Sequence, residues 1–137
     1  MVFSGKGDDG STGWLGKGRL PKHDIRIEAL GSLDEATAAL GFARSFFPDL
    51  PEASLILRIQ TDLYHMMAEV ASPAATAEKF TRINDLKVKD LESEIKRLEA
   101  LVQMPRDFII PGDTQAEAAM SLSRAIVRRA ERRVTEM

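Results

Sequence analysis

Ser32-Leu-Asp-Glu-Ala-Thr-Ala-Ala-Leu-Gly-Phe-Ala-Arg-Ser-Phe-Phe47 places Leu33, Ala36, Leu40, Ala43 and Phe47 at spacings of three and four. An α-helix turns once in about 3.6 residues, so these side chains share one face and the stretch reads as an amphipathic helix. Ser32 and Glu35 have capping-box spacing and set its expected start, and Pro48 or Pro51 its end.

The same period recurs downstream. Leu55, Ile59, Leu63, Met66 and Val70 mark a second helix that starts after Pro51 and ends at the Ser72-Pro73 step. Residues 72–83 lack a period and read as a connector. Leu91, Ile95, Leu98 and Val102, with Glu, Lys and Arg between them, mark a third helix with a solvated outer face. Pro105 and the pair Pro111-Gly112 break the chain, and Thr114 with Glu117 caps a last helix that runs to the end. No alternating strand runs are present. The fold class expected is therefore all-α, an antiparallel bundle of four helices over 32–137 in a single domain of 137 residues.

Composition narrows the function. With 44% hydrophobic and 29% charged residues the chain can build a core, and a net charge of −2 gives no overall field for nucleic acid or anionic lipid. The absence of cysteine excludes disulfides and thiolate chemistry. No stretch approaches the roughly 20 apolar residues of a membrane helix, and no apolar signal core opens the chain, so a cytoplasmic protein is expected.

Residues 1–24 hold six of the nine glycines, Gly5, Gly7, Gly10, Gly13, Gly16 and Gly18, and read as a loop. Glycines let backbone approach a phosphate closely, and Lys6, Ser11, Thr12, Lys17 and Lys22 add donors or charge. The acidic pair Asp8 and Asp9 would oppose phosphate unless it organises the loop by hydrogen bonds or helps hold a cation such as Mg2+. The P-loop pattern is not met, because Ser11 stands where the first glycine before Gly16-Lys17 is required. Taken alone, the loop reads equally as a flexible tail.

In the last helix Ser121, Arg124, Arg128 and Glu131 share a face, and Arg129, Arg132 and Arg133 widen the positive patch, while Ala119, Leu122, Ile126, Ala130 and Val134 supply apolar contacts. Guanidinium groups grip phosphate in a bidentate fashion, so anion binding is one reading; a salt-bridged helix end is the other. His23 and His65 lack metal-ligand spacing and read as structural, Met66 and Met67 as core, and Trp14 as a cover for the loop or an interface residue.

In order along the chain, Ser4 through Gly16, Arg19 through Asp24, Arg26 through Glu35, Phe108-Ile-Ile-Pro-Gly112 and Arg124 through Arg132 resemble the propanediol-utilisation-type ATP:cob(I)alamin adenosyltransferases. That resemblance implies a bundle of normally five helices, four of them carried here, assembled as a homotrimer with ATP and cobalamin between subunits. It implies transfer of the 5′-deoxyadenosyl group of ATP to reduced cobalt with release of triphosphate, with Mg2+ accompanying ATP and a cobalamin reductase as a partner. It assigns Ser4, Gly7, Asp8, Gly10, Ser11, Thr12 and Lys22 to the ATP loop, completed by Arg128 and Glu131. Asp34 would pair with Arg124 across a subunit boundary, and Phe108 would lie against the corrin, excluding water and the lower axial ligand. A non-catalytic nucleotide- or cobalamin-binding module and a purely structural oligomerisation bundle are the other readings.

Overall fold

The computed structural model describes residues 4–103 and 105–137; the first three residues of the predicted loop lie outside the described residues. The chain forms a short hairpin, β1 (Ser11–Gly13) and β2 (Arg19–Pro21), then α1 (Ile25–Arg44), α2 (Pro51–Val70), a single helical turn α3 (Ala74–Ala77), α4 (Asp85–Glu99) and α5 (Gln115–Thr135).

Side-chain bonds fix the antiparallel order. Glu28 and Glu35 of α1 pair with Arg133 and Arg129 of α5, so the two helices run in opposite senses. Arg26 reaches the carbonyl of Val70, and Gln60 Nε2 donates to the carbonyl of Thr37 at 2.9 Å, which sets α2 antiparallel to α1 on another side. The ion pairs from Glu52 to Arg97, Arg58 to Glu94 and Asp62 to Lys87 set α4 antiparallel to α2.

The core lies on α1, the helix on which α2 and α5 both pack. Ala29, Leu33 and Ala36 are buried with Val70 and Ala130, and Leu63, Met66, Met67, Ile126 and Val134 close over them. Small residues dominate where α5 meets α1: Ala119, Ser123 and Ala130 are its buried positions, and Ser123 satisfies its hydroxyl on the Ala119 carbonyl at 2.7 Å. Such residues let two helix backbones approach closely, so the pair is held by dense packing rather than by large side chains. α4 differs. It buries none of its side chains and is tied to α2 mainly by the ion pairs above, over an apolar cleft lined by Leu55, Ile59, Leu63, Met66 and Leu91.

Several expectations are corrected. α1 begins at Ile25, not Ser32: Asp24 is the cap, its carboxylate accepting from the Arg26 amide at 2.9 Å, and Ser32 is buried inside the helix. The third long helix starts after Asn84, whose side chain accepts from Leu86 and Lys87, and stops at Glu99, leaving Val102 outside. The connector 72–83 contains the turn α3, so the described residues form four long helices and a fifth short one. The glycine segment is not only loop, since Ser11, Thr12 and Gly13 pair with Pro21, Leu20 and Arg19. Leu122 is exposed, with Ser123 in the buried place instead. The other boundaries fall within a few residues of expectation: α2 starts on Pro51 rather than after it, at a first position where a missing N–H loses nothing, and α5, capped by Thr114 accepting from the Glu117 amide at 3.1 Å, ends at Thr135.

Candidate functional site: a glycine turn, its hairpin and a divided arginine helix

Residues 5–10 form the approach to the hairpin. The Asp8 amide donates to the Gly5 carbonyl and the Gly10 amide to that of Gly7. Gly5 and Gly10 have φ of 65° and 80°, a left-handed conformation that a side chain disfavours, which is why glycine stands at both bends. Gly7 serves closeness instead: a Cβ there would lie 3.3 Å from both the Lys22 ammonium nitrogen and the Ser11 carbonyl oxygen. Gly7, Ser11 and Lys22 are thus brought together, with Lys22 also donating its amide to the Gly10 carbonyl.

The acidic pair divides in role. Asp9 accepts from both the amide and the hydroxyl of Ser11, at 2.8 and 2.7 Å. Those bonds, with the Arg19 charge nearby, hold its carboxyl below the usual carboxylate range. The contacts therefore stand at neutral pH and are lost as pH falls through that lowered value. Asp8 is exposed beside Gly5. Among the described residues no three acidic or histidine side chains cluster as a metal site.

The hairpin tip docks on the bundle. Leu15 donates its amide to the Ala71 carbonyl at 3.0 Å, just past the end of α2. Arg26, in the first turn of α1, donates to the carbonyls of Val70 and Ser72 and lies 5.4 Å from the Trp14 ring centroid, a cation–π distance. Trp14 in turn donates from Nε1 to the Lys17 carbonyl and covers Gly16, where a Cβ would fall 2.1 Å from the ring. Gly16→Ala must therefore displace the indole. The expected result is a loss of about 1–3 kcal/mol in hairpin docking, read as a red shift and stronger quenching of the emission of Trp14, the only tryptophan.

The arginines of α5 split into two groups. Arg129 and Arg133 face α1 and pair with Glu35 and Glu28. Arg124, Arg128 and Glu131 lie within about 60° of one another around the helix axis, on another flank, and all three are exposed. Arg132 is exposed and bonds the Arg128 carbonyl at 3.0 Å. Ser121 is half-buried on the same helix.

Ser4 and Asp8 are exposed beside the turn, and Thr12 is half-buried in β1. Asp34 is exposed on α1 between the buried Leu33 and Ala36. Phe108 is 90% exposed and Ile110 80%, in the extended run before α5. Within one chain, no hydrogen bond or ion pair among the described residues joins the turn to Arg128 or Glu131, or Asp34 to Arg124. Nothing in the local sequence marks Arg19 or Arg26 for a role. Their acceptors include carbonyls as far as 46 residues away, which local spacing does not reveal.

Known proteins match this chain over nearly its whole length. A family model described as cobalamin adenosyltransferase matches residues 2–137. The chain is 34% identical over 137 residues to the corrinoid adenosyltransferase PduO of Salmonella typhimurium, covering 99% of itself and 41% of that protein, so it spans less than half of that relative. It is 32% identical over 134 residues to the corrinoid adenosyltransferase of Mycobacterium tuberculosis, covering 96% of itself and 69% of that protein. The fold superposes with a TM-score of 0.90 and 29% identity on a phenylalanine-to-alanine variant of a PduO-type ATP:corrinoid adenosyltransferase from Lactobacillus reuteri complexed with cobalamin and ATP, covering 99% of this chain and 77% of that one. An arginine-to-lysine variant from the same organism, complexed with ATP, gives a TM-score of 0.85 at 28% identity, over 98% of this chain and 77% of that one. With a family match that leaves out only the first residue, the chain belongs to the cobalamin adenosyltransferase family.

Proposed function

We propose that this chain transfers the 5′-deoxyadenosyl group of ATP to cob(I)alamin. The electron pair of reduced cobalt forms the bond to C5′, the bond from C5′ to the 5′ oxygen breaks, and triphosphate leaves with that oxygen. No protein nucleophile is needed, so the protein's work is to hold C5′ in line with cobalt and to neutralise the leaving triphosphate. The observation that carries this reading is the pre-formed glycine turn with Lys22 beside it, in a chain whose α5 holds Arg128 exposed and clear of the α1 carboxylates.

Ser4, Gly7, Asp8, Gly10, Ser11, Thr12 and Lys22 form the ATP loop in this account, and Arg128 and Glu131 complete it from α5. The substituted phenylalanine and arginine of the Lactobacillus reuteri proteins stand as far apart in sequence as Phe108 and Arg128, which supports matching roles. Mg2+ bound with the phosphates would help to neutralise their charge. Asp8 is the carboxylate left beside the turn for it.

Active sites between the subunits of a homotrimer explain why the turn and Arg128 are not joined within one chain. Asp34 then meets Arg124 of a neighbour, and exposed apolar side chains such as Phe42, Leu122 and Phe108 gain cover from a second chain or the corrin. Phe108 beside cobalt would exclude water from a strongly reducing nucleophile. That same chemistry calls for a reductase to supply cob(I)alamin and suits a cytoplasmic setting; no helix among the described residues is long and apolar enough to cross a membrane. Anaerobic conversion of cob(I)alamin, made together with a light-scattering mass, tests both halves of the proposal: a trimer that forms adenosylcobalamin is expected, and a monomer with full activity would remove the shared site.

A further inference from the structure

We propose that Arg19 is a positioning residue of the nucleotide site, pre-ordering the glycine turn for phosphate without itself touching the nucleotide; this rests on the assignment of that turn to ATP. Arg19 enters from β2, opposite Gly13. Its Nε donates to Ser11 Oγ at 2.6 Å, and its Nη2 donates to the carbonyls of Lys6 and Ser11, each at 2.9 Å. Lys6 lies on the entry to the turn and Ser11 on its exit, so one guanidinium binds both arms of the turn to the second strand.

Asp9 closes the figure by accepting the amide and hydroxyl protons of Ser11. A serine hydroxyl has one proton to give, and here it goes to Asp9 while the same oxygen accepts from Arg19. The Ser11 side chain is therefore engaged within the turn, and the Lys22 ammonium group lies beside Gly7 as a cation close to it. The same contacts give Asp9 a structural use, its carboxylate turned to Ser11 near a positive charge, and leave Asp8 as the exposed carboxylate of the pair. A fork of donors in a fixed plane reaches the three acceptors together; a lysine ammonium at the end of a flexible stem cannot reproduce that geometry.

The test uses the full chain and four variants, Arg19→Lys, Arg19→Gln, Ser11→Ala and the double Arg19→Gln/Ser11→Ala. Amide hydrogen exchange over residues 5–13 is measured without ligand, and Mg·ATP binding by calorimetry. Exchange in the turn is expected to quicken in every variant while that of α1, α2 and α5 and the melting temperature stay put. The Kd for Mg·ATP is expected to rise about tenfold in both Arg19 variants, equivalent to about 1.4 kcal/mol. Lysine gives no rescue, and the double variant matches the weaker single one to within about twofold, as coupled residues do. In turnover by the two Arg19 single variants, KM for ATP rises while kcat and KM for cob(I)alamin hold.

Restored affinity in Arg19→Lys would mean direct contact with phosphate and overturn the proposal. So would losses that multiply in the double variant, or unchanged exchange in the turn. A wild-type protein that binds no Mg·ATP would overturn the assignment of the turn itself, whereas normal wild-type binding with unaltered variants would remove only the role of Arg19.

Discussion

Arg128→Ala is expected to lower kcat/KM for adenosyl transfer by about a hundred- to a thousandfold, the loss typical of removing one donor aimed at charge that develops in the transition state. Five arginines fall between residues 124 and 133, yet the bundle does not treat them alike. Arg129 and Arg133 are tied to Glu35 and Glu28 and help hold α5 on α1. Arg128 lies a third of a turn away, exposed and clear of those carboxylates. Its removal should leave the melting temperature unchanged, because no packed contact of the core depends on it. Arg128→Lys keeps the charge and loses the bidentate grip, so ATP should still bind while turnover falls by an intermediate factor. That the arginine-to-lysine variant from Lactobacillus reuteri was obtained complexed with ATP agrees with this division. Steady-state kinetics beside calorimetry decide it, with Lys96→Ala on the remote α4 as the control.

Phe108→Ala should slow adenosylation about a hundredfold, or about 2.7 kcal/mol in the barrier, with little change in affinity for either ligand or in stability. A phenylalanine left 90% exposed between Asp107 and the exposed Ile109 contributes nothing to this chain's own core. In the proposed function that ring lies against the corrin, where it would keep water and the lower axial ligand away from cobalt. The phenylalanine-to-alanine variant from Lactobacillus reuteri was complexed with both cobalamin and ATP, so loss of the ring need not abolish binding. A stopped-flow measurement that separates binding from the chemical step checks this. An unchanged rate constant with weakened cobalamin binding would instead make Phe108 a simple contact.

The helices were legible where a single strong signal marked each end. Pro51 and Thr114 gave the starts of α2 and α5 because a proline at the first position and a threonine cap have few other uses there. α1 was misjudged at its start because two cap signals compete. Ser32 with Glu35 has the right spacing, but Asp24 caps first, and Gly31 within the helix is tolerated because tertiary packing of Ala29 and Leu33 outweighs its poor propensity. The hairpin could not be read from patterning. Its strands are three residues long, contain Gly13 and Pro21, and hold together through Arg19 rather than through an alternating apolar face.

Of the residues proposed for the site, Gly7 and Gly10 do lie beside Lys22, and the flank shared by Arg124, Arg128 and Glu131 follows directly from helical spacing. What spacing did not show is which arginines the bundle uses for itself, since that depends on the carboxylates α1 presents. The outward links of Arg26 were hidden for the same reason: they join the first turn of α1 to the end of α2, a meeting created only by the fold.

The most direct test of the account is an anaerobic assay of the purified protein with Mg·ATP and chemically reduced cobalamin, following the cob(I)alamin spectrum. Conversion to adenosylcobalamin with one triphosphate released per turnover is expected, slowed by about two to three orders of magnitude in Arg128→Ala. A folded trimer that binds ATP yet leaves the cob(I)alamin spectrum unchanged would contradict it and leave a nucleotide-binding helical module in place of a transferase.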